Sequence, residues 1–210
     1  MLTKKVIPNK VKKLPFMELF HTLQGEGFHT GKPAVFVRLA GCDVGCVWCD
    51  VKESWDAQKH PDFSESQILN KVINFKTKFV VITGGEPSLH NIDGLVQILQ
   101  KNNIYTAIET AGTNAIPENI NWICFSPKKF KPPVDQIYQI ADELKVVIFN
   151  SSDLTWALEH EKKITNKNCQ LYVQPEWSKM EKNMPMILDF LKENPNWRLS
   201  LQTHKFINIP

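Results

Sequence analysis

The stretch PAVFVRLAGCDVGCVWCDV, residues 33–51, joins an apolar segment to a loop that carries three cysteines. The apolar residues of 33–40 predict a buried β-strand. Cys42, Cys46 and Cys49 follow with the spacing C-x3-C-x2-C. Structural zinc sites and most iron–sulfur clusters use four protein ligands, so the loop is one ligand short of either.

Two kinds of metal site fit three clustered cysteines. One is a zinc site completed by His60 or Asp50, although the spacing lacks the usual paired C-x2-C units. The other is a [4Fe–4S] cluster with three thiolate ligands, whose fourth iron binds a small molecule through an amine and a carboxylate. S-adenosylmethionine (SAM) carries both groups and is a source of radical chemistry. We favour the cluster, with SAM as the missing ligand and a 5′-deoxyadenosyl radical as the product of its cleavage.

The composition describes an ordinary globular chain of 210 residues with a net charge of +3. This length suits one domain, 1–210, in which 1–32 form an N-terminal extension. The lysines of the first 13 residues form either a solvated arm, which we favour, or a contact to nucleic acid. No apolar run is long enough to cross a membrane or to act as a signal peptide, and the five cysteines are an odd number. We therefore expect a cytoplasmic protein whose thiols stay reduced; Cys124 and Cys169 fit as core thiols.

Strand and helix patterns alternate along the chain. Strands are predicted at 33–40, 78–83, 104–109, 122–126, 144–149, 170–173 and 197–202, and helices at 64–75, 92–102, 133–141, 152–161 and 186–192. Ser64 and Gln67 have the spacing of a helix capping box. This alternation predicts an α/β fold with a mostly parallel sheet and outer helices, either doubly wound or a barrel. Because a complete barrel takes about 250 residues, we favour an incomplete (β/α) barrel.

The unusual polar segments all follow predicted strands. The cysteine loop follows the first predicted strand, and TGGEP (83–87), ETAGT (109–113) and SPK (126–128) follow the next three. QPE (174–176) and QTHK (202–205) follow later strands. Since active sites of parallel α/β folds lie at the carboxyl ends of the strands, we expect one composite site.

The cysteine spacing together with GGEP resembles the radical SAM superfamily. The resemblance implies that Cys42, Cys46 and Cys49 hold a [4Fe–4S] cluster, and that Gly84 and Gly85 bind the ammonium group of SAM. Trp48 fits a wall beside the adenine, or equally a packing role in the loop. The further residues that the resemblance assigns to SAM are Cys49, Asp50, Glu86, Gly112, Ser126, Pro127, Lys128, Gln174, Pro175 and Glu176.

The segment FHTLQGEGFHTGKPAVFVRLAGC, residues 20–42, closely resembles the 7-carboxy-7-deazaguanine synthase family, and ETAGT, SPK, QPE and the final QTHKFINIP match in order. The resemblance implies conversion of 6-carboxy-5,6,7,8-tetrahydropterin into 7-carboxy-7-deazaguanine, with ring contraction and release of ammonia, on the pathway to queuosine. Glu26 suits the guanidine-like pterin edge, and Arg38 suits the substrate carboxylate unless it is a surface arginine of the strand. The residues expected at the substrate are Leu23, Gln24, Gly25, Glu26, Arg38, Thr110, His204 and Pro210.

One position departs from the family pattern. The family usually has threonine or serine after Cys-Asp, where the hydroxyl helps to bind Mg²⁺, whereas this chain has Val51. Valine offers no oxygen to a hard cation. Mg²⁺ is then absent, held by Asp50, water and substrate, or replaced by another cation such as Lys52. We favour weakened or absent Mg²⁺.

Two other functions are compatible with parts of the sequence. A glycyl-radical-enzyme activase shares the cysteine spacing and GGEP, but the QGEG segment (24–27) and the HKFINIP ending disfavour it. A zinc-binding interaction module would use only the cysteine loop. The favoured family implies a flavodoxin or ferredoxin as electron donor and a homodimer, with no direct contact to nucleic acid or membrane.

Overall fold

A nine-stranded sheet organises the chain in a computed structural model, which describes residues 12–210. The strands are β1 (Lys13–Leu23), β2 (Pro33–Leu39), β3 (Asp62–Ser64), β4 (Phe79–Gly84), β5 (Tyr105–Thr110), β6 (Trp122–Phe125), β7 (Glu143–Ile148), β8 (Gln170–Pro175) and β9 (Trp197–Leu199). Their order across the sheet is β3-β1-β2-β4-β5-β6-β7-β8-β9. The two end strands of this order, β3 and β9, are not paired with each other, so the sheet does not close.

Seven of these strands are parallel. β2 pairs with β4, and each strand from β4 to β9 pairs with the next in parallel register. β1 runs antiparallel to both β2 and β3. The mostly parallel, open α/β sheet confirms the expected incomplete barrel.

Within residues 12–210, five α-helices connect strands and a sixth follows β9: α1 (Glu65–Val72), α2 (Asp93–Lys101), α3 (Gln136–Ile140), α4 (Ser152–Glu161), α5 (Met180–Glu193) and α6 (Thr203–Phe206). Apolar side chains of α1, α2, α4 and α5 share one core with the sheet, for example Ile68 and Leu95 with Val80 and Ile82. The alternate side chains of β4, Phe79 and Val81, belong to a second cluster on the other face. The helices therefore cover one face and leave the other to line the interior.

Most predicted elements are confirmed, including the capping box of α1, in which Ser64 and Gln67 exchange hydrogen bonds. α3 begins at Gln136 rather than near residue 133, after two prolines that restrict the preceding backbone. α5 begins at Met180 rather than near Met186 and continues through Pro185. The loss of one backbone hydrogen bond at Pro185 does not end this helix, because its apolar face is anchored in the core by Ile187.

β1, β3 and α6 were not predicted. β1 lies within the predicted N-terminal extension, so Leu23 ends a strand instead of preceding the first one. Because β1 joins the same sheet as the rest of the chain, this part of the extension is built into the fold.

The lysine-rich arm lies mostly outside the described residues, and its role stays a prediction. In the described part, no helix has the length and apolar character needed to span a bilayer.

Candidate active site

A cavity of about 400 Å³ opens at the carboxyl ends of the parallel strands. Loops after β1, β2, β4, β5, β6 and β8 reach it, as does the segment after β9. The predicted site residues that line it are Leu23, Gln24, Gly25, Glu26, Arg38, Cys42, Cys46, Trp48, Cys49, Asp50, Val51, Gly84, Gly85, Glu86, Thr110, Ser126, Lys128, Gln174, Pro175, Glu176, His204 and Pro210. The structure thus places nearly all of the predicted residues around one cavity.

The cysteine loop begins with a turn at Gly41. Gly41 has a φ of 100°, and its N–H donates to the Ser54 carbonyl at 2.7 Å. The thiols of Cys42, Cys46 and Cys49 are free, and all three line the cavity. Across residues 12–210, no three His, Cys, Asp or Glu side chains are grouped so as to hold a single metal ion.

The environment of the thiols bears on what they can bind. Burial raises the pKa of Cys46 to about 11, and the nearby Lys128 ammonium opposes that rise. Burial also raises the pKa of Cys42. A bound metal deprotonates a coordinating thiol outright, so raised thiol pKa values are compatible with thiolate ligands. Three free sulfurs on one cavity wall fit a cluster held by three thiolates.

Two glycines at the end of β4 dock against the cysteine loop. The Gly85 N–H donates to the Leu39 carbonyl at 3.0 Å, and the Glu86 N–H donates to the Gly41 carbonyl at 2.8 Å. A Cβ added to Gly84 would lie 1.9 Å from the Leu39 oxygen, and one on Gly85 would lie 2.3 Å from the Gly41 oxygen. The TGGEP segment therefore needs both glycines to approach the loop. We call the loop 41–51 together with Gly84–Glu86 the cysteine side of the cavity.

Glu86 is almost fully buried on the cysteine side. Its carboxylate accepts hydrogen bonds from the Thr110 hydroxyl at 2.5 Å, the Ala111 N–H at 2.7 Å and the Ser88 N–H at 2.9 Å. These contacts tie the loop after β4 to the end of β5. The carboxylate is thus committed to holding two loops in place.

Lys128 follows β6 and faces the cysteines. Its ammonium donates to the carbonyl and the hydroxyl of Ser126, both at 2.6 Å, and lies 5.8 Å from the centre of the Trp48 ring. Burial lowers the pKa of Lys128. Trp48 also lies 6.5 Å from the Phe130 ring, and Pro127 lines a smaller neighbouring hollow of about 170 Å³ rather than the main cavity.

Another part of the cavity wall is built on Lys145, which sequence reasoning missed. The Lys145 side chain is 3% exposed, and its ammonium lies 2.6 Å from Glu26 Oε2 and 2.8 Å from Glu109 Oε2. Burial by itself would raise the pKa of Glu26, but the charge and hydrogen bond of Lys145 lower it to about 2. Burial works against protonated Lys145, yet the acidic groups around it raise its pKa well above the ordinary value.

Two glutamines hold the other oxygens of these carboxylates. Gln24 Nε2 donates to Glu109 Oε1 at 3.0 Å, and Gln202 Nε2 donates to Glu26 Oε1 at 3.0 Å. Gln24 Oε1 accepts from the Glu26 N–H at 3.1 Å. We call Lys145, Glu26, Glu109, Gln24 and Gln202 the Lys145 side of the cavity.

The last residues of the chain close this wall. A Cβ on Gly25 would lie 2.2 Å from His204 Nδ1, so the imidazole rests directly on the glycine. Burial lowers the pKa of His204, and Glu26 opposes that change. The Thr22 hydroxyl donates to Pro210 at 3.1 Å. His204 thereby lies against the QGEG segment, and Pro210 lies beside the end of β1.

Comparisons with known proteins agree with this geometry. Residues 36–124 match the family model described as the Radical SAM superfamily. A 7-carboxy-7-deazaguanine synthase of Flavobacterium psychrophilum is 48% identical over 100% of both chains. One from Synechocystis is 41% identical over 93% of both chains. The crystal structure of QueE from Escherichia coli superposes with a TM-score of 0.83 at 32% identity, covering 91% of this chain and 95% of that one.

The chain belongs to the 7-carboxy-7-deazaguanine synthase family. It is therefore a radical SAM enzyme, as the cysteine spacing and GGEP indicated. Membership in the synthase family decides against the glycyl-radical activase and the zinc-binding module. The superfamily implies a [4Fe–4S] cluster and SAM, which fit the three free thiols on the cavity wall.

Gly112, Pro127 and Arg38 differ from the other predicted residues in their placement or partners. Gly112 does not line the cavity: an added Cβ would lie 3.0 Å from Ile137, and its N–H donates to the Thr110 hydroxyl. Its contact with SAM, like that of Pro127, stays a prediction. Arg38 does line the cavity, and its Nε donates to Glu18 Oε1 at 2.7 Å. The arginine is therefore held at the rim by a partner that the sequence did not reveal.

Proposed function

We propose that the chain converts 6-carboxy-5,6,7,8-tetrahydropterin into 7-carboxy-7-deazaguanine with ring contraction and release of ammonia, in queuosine biosynthesis. The observation that carries the proposal is the shared cavity, which is lined both by the cysteine side and by the acceptor carboxylates of Glu26 and Glu109. The family of the chain supports the same reaction.

The cysteine side would hold the cofactors. Cys42, Cys46 and Cys49 would ligate the cluster, and the backbone carbonyls of Gly84 and Gly85 would accept from the SAM ammonium. When bound, the cluster and SAM supply the radical chemistry that removes a hydrogen atom from the substrate. Lys128 and Ser126 lie on the same wall and would contact SAM. Gln174, Pro175 and Glu176 would cover it from the end of β8.

The rest of the cavity would hold the pterin. Glu26 stays deprotonated at neutral pH because its pKa is about 2, so it accepts hydrogen bonds from the ring edge. Arg38 would pair with the carboxylate of the substrate through its bidentate fork. Thr110, His204 and Pro210 line the same cavity and would contact the remaining ring positions. The chain's own residues thus orient the substrate and exclude water while the cofactors supply the radical.

Magnesium is weakly used or unused in this proposal. Val51 lines the cavity where the family pattern has a hydroxyl, and the neighbouring Asp50 already lies 3.2 Å from the Lys205 ammonium. We expect activity with and without added Mg²⁺ to differ little, and Val51→Thr to increase the stimulation. A strong Mg²⁺ requirement of the native enzyme would contradict this part.

The partners in the proposal follow from the family. A flavodoxin or ferredoxin would deliver the electron, and two copies of the chain would form a homodimer in the cytoplasm. Light scattering of purified protein tests the dimer. Turnover driven by a purified flavodoxin or ferredoxin, against a chemical reductant, tests the donor.

The central experiment is a turnover assay. The protein is reconstituted with iron and sulfide without oxygen, then given SAM, reductant and 6-carboxytetrahydropterin. Mass spectrometry should show 7-carboxy-7-deazaguanine. A preparation that assembles the cluster and cleaves SAM but forms none of this product would overturn the proposed reaction.

A further inference from the structure

The charges on the Lys145 side are arranged unusually for a substrate site. A buried ammonium stands behind two carboxylates that are themselves 19% and 21% exposed. Both carboxylates line the cavity. A lone lysine inside an apolar strand would lose its charge, but two carboxylate partners keep it protonated.

The carboxylates of Glu26 and Glu109 can accept further hydrogen bonds from a ligand. Each oxygen of Glu26 and Glu109 accepts one hydrogen bond, two from Lys145 and one each from Gln24 and Gln202. A carboxylate oxygen can accept two, so acceptor capacity remains on both groups. The known donors fix both carboxylates in place and leave them as acceptors toward the cavity.

We propose that Lys145 is a positioning residue: by bridging Glu26 and Glu109, it makes this wall a paired acceptor that selects a ligand ring with adjacent N–H donors. The 2-amino-4-oxo edge of a pterin presents such donors, so the inference rests on the pterin substrate of the proposed function. A ring with an oxygen in place of the 2-amino group would direct an acceptor at an acceptor, which buried sites reject strongly.

Other charged groups around this wall bear on its pH dependence. His204 of α6 faces Glu26, and Glu143 of β7, Cys124 of β6 and Lys128 lie near Lys145. Burial raises the pKa of Glu143 and lowers that of His204. Without the Lys145 charge, two neighbouring carboxylates would repel each other, and one would take up a proton. A protonated carboxyl offers a donor where the ring needs an acceptor.

The test measures binding of the fluorescent probe 6-carboxypterin to the cluster-loaded enzyme with SAM, between pH 6.5 and 8.5. The N3 proton of the probe itself dissociates within this range, so each Kd is compared with that of the native enzyme at the same pH. Lys145→Met should weaken binding at least tenfold at pH 6.5 relative to the native enzyme, and by a smaller factor at pH 8.5. The double variant Lys145→Met/Glu109→Gln has the same net charge as the native wall, so the factor by which it weakens binding should be independent of pH.

Three results would overturn the inference. They are an unchanged Kd in Lys145→Met, a loss of affinity in Lys145→Met that does not depend on pH, and a double variant with the pH dependence of the single one. Native enzyme that binds 6-carboxypterin as expected but forms no 7-carboxy-7-deazaguanine would count against the proposed function alone.

A second measurement does not depend on the folding of the Lys145 variants. Native enzyme should bind 6-carboxypterin at least tenfold more tightly than 6-carboxylumazine, which has an oxygen in place of the 2-amino group. Glu109→Gln should narrow that ratio, because its amide can donate to the added oxygen. Equal affinity of the native enzyme for the two probes would overturn the inference.

Discussion

The two sides of the cavity are built by different means. The cysteine side is held mainly by backbone hydrogen bonds, which join the GGE segment to residues 39 and 41. The Lys145 side is held by side-chain charges from distant parts of the chain; Glu26 and Lys145 are 119 residues apart. In the proposed function the first side holds the cofactors, whereas the second side binds the substrate through a wall whose chemistry depends on its net charge.

The largest expected effect lies on the cysteine side. Cys46→Ala removes one of the three proposed cluster ligands, and the proposal offers no other side chain in its place. We expect iron content and product formation to fall to background. Cys169→Ala is the matched control, since this free thiol packs against the core outside the cavity. Normal iron content in Cys46→Ala would refute the ligand assignment.

The contribution of the Lys145 side to the free energy of unfolding should be lost in acid. The pKa of Glu26 is about 2 in the folded chain against an ordinary 4.5, so the folded state binds this proton less well than the unfolded state. The resulting stabilisation is complete above pH 4.5 and is lost as the pH falls through 2. Glu26→Gln should therefore lower the free energy of unfolding by on the order of 3 kcal/mol at pH 7, with the difference vanishing near pH 2.

Chemical denaturation of the cluster-free protein between pH 2 and 7 measures this effect without acid loss of the cluster. Asp189→Asn is the control, because the Asp189–Lys192 pair is 72% and 75% exposed and screened by water. A difference between native protein and Glu26→Gln that stays constant with pH would show that Lys145 does not stabilise the Glu26 carboxylate.

A substitution at Glu86 tests how the loops on the cysteine side are held together. In Glu86→Gln, one oxygen still accepts from Thr110 and Ser88, but the amide group turns a donor toward the Ala111 N–H. Losing that charge-assisted bond should cost roughly 2 kcal/mol of unfolding free energy, which thermal unfolding would show. Glu176→Gln is a matched control, because Glu176 also accepts from a serine N–H two residues later but not from β5 or its following loop. If both variants lose the same free energy of unfolding, the effect of Glu86→Gln does not come from its link between the loops after β4 and β5.

The contrast also explains what could be predicted from the sequence. The cysteine side was readable because its residues lie in short motifs with functional spacing, and the strand and helix periods that place these motifs are local. Gly84 and Gly85 needed no knowledge of distant contacts to be singled out.

Lys145 could not be found in the same way. It lies in the apolar run LKVVIF, residues 144–149, which predicts a buried strand and gives no reason to select its one charge. Glu109 belongs to the ETAGT segment, but it comes near Lys145 only because β5 pairs with β6 and β6 pairs with β7. β1 was missed because KLPFMELFHTL lacks the strict alternation of a half-buried strand. One signal in the sequence could have identified Lys145. It is a charged residue inside a predicted buried parallel strand whose carboxyl end reaches the site.

The smallest expected effect concerns the rim between the two sides. Arg38 is 16% exposed and its partner Glu18 is 45% exposed, so water screens the pair. Glu18→Gln should change the free energy of unfolding by less than about 1 kcal/mol, with the difference shrinking in high salt. Arg38 would then be released from its neighbour, and KM for the carboxylated substrate should change by less than threefold.

Arg38→Lys is the informative companion: it keeps the charge but loses the bidentate fork, so its KM should rise well beyond that of Glu18→Gln. If Arg38→Lys leaves KM unchanged, the arginine belongs to the surface pair alone, and the substrate carboxylate is held elsewhere.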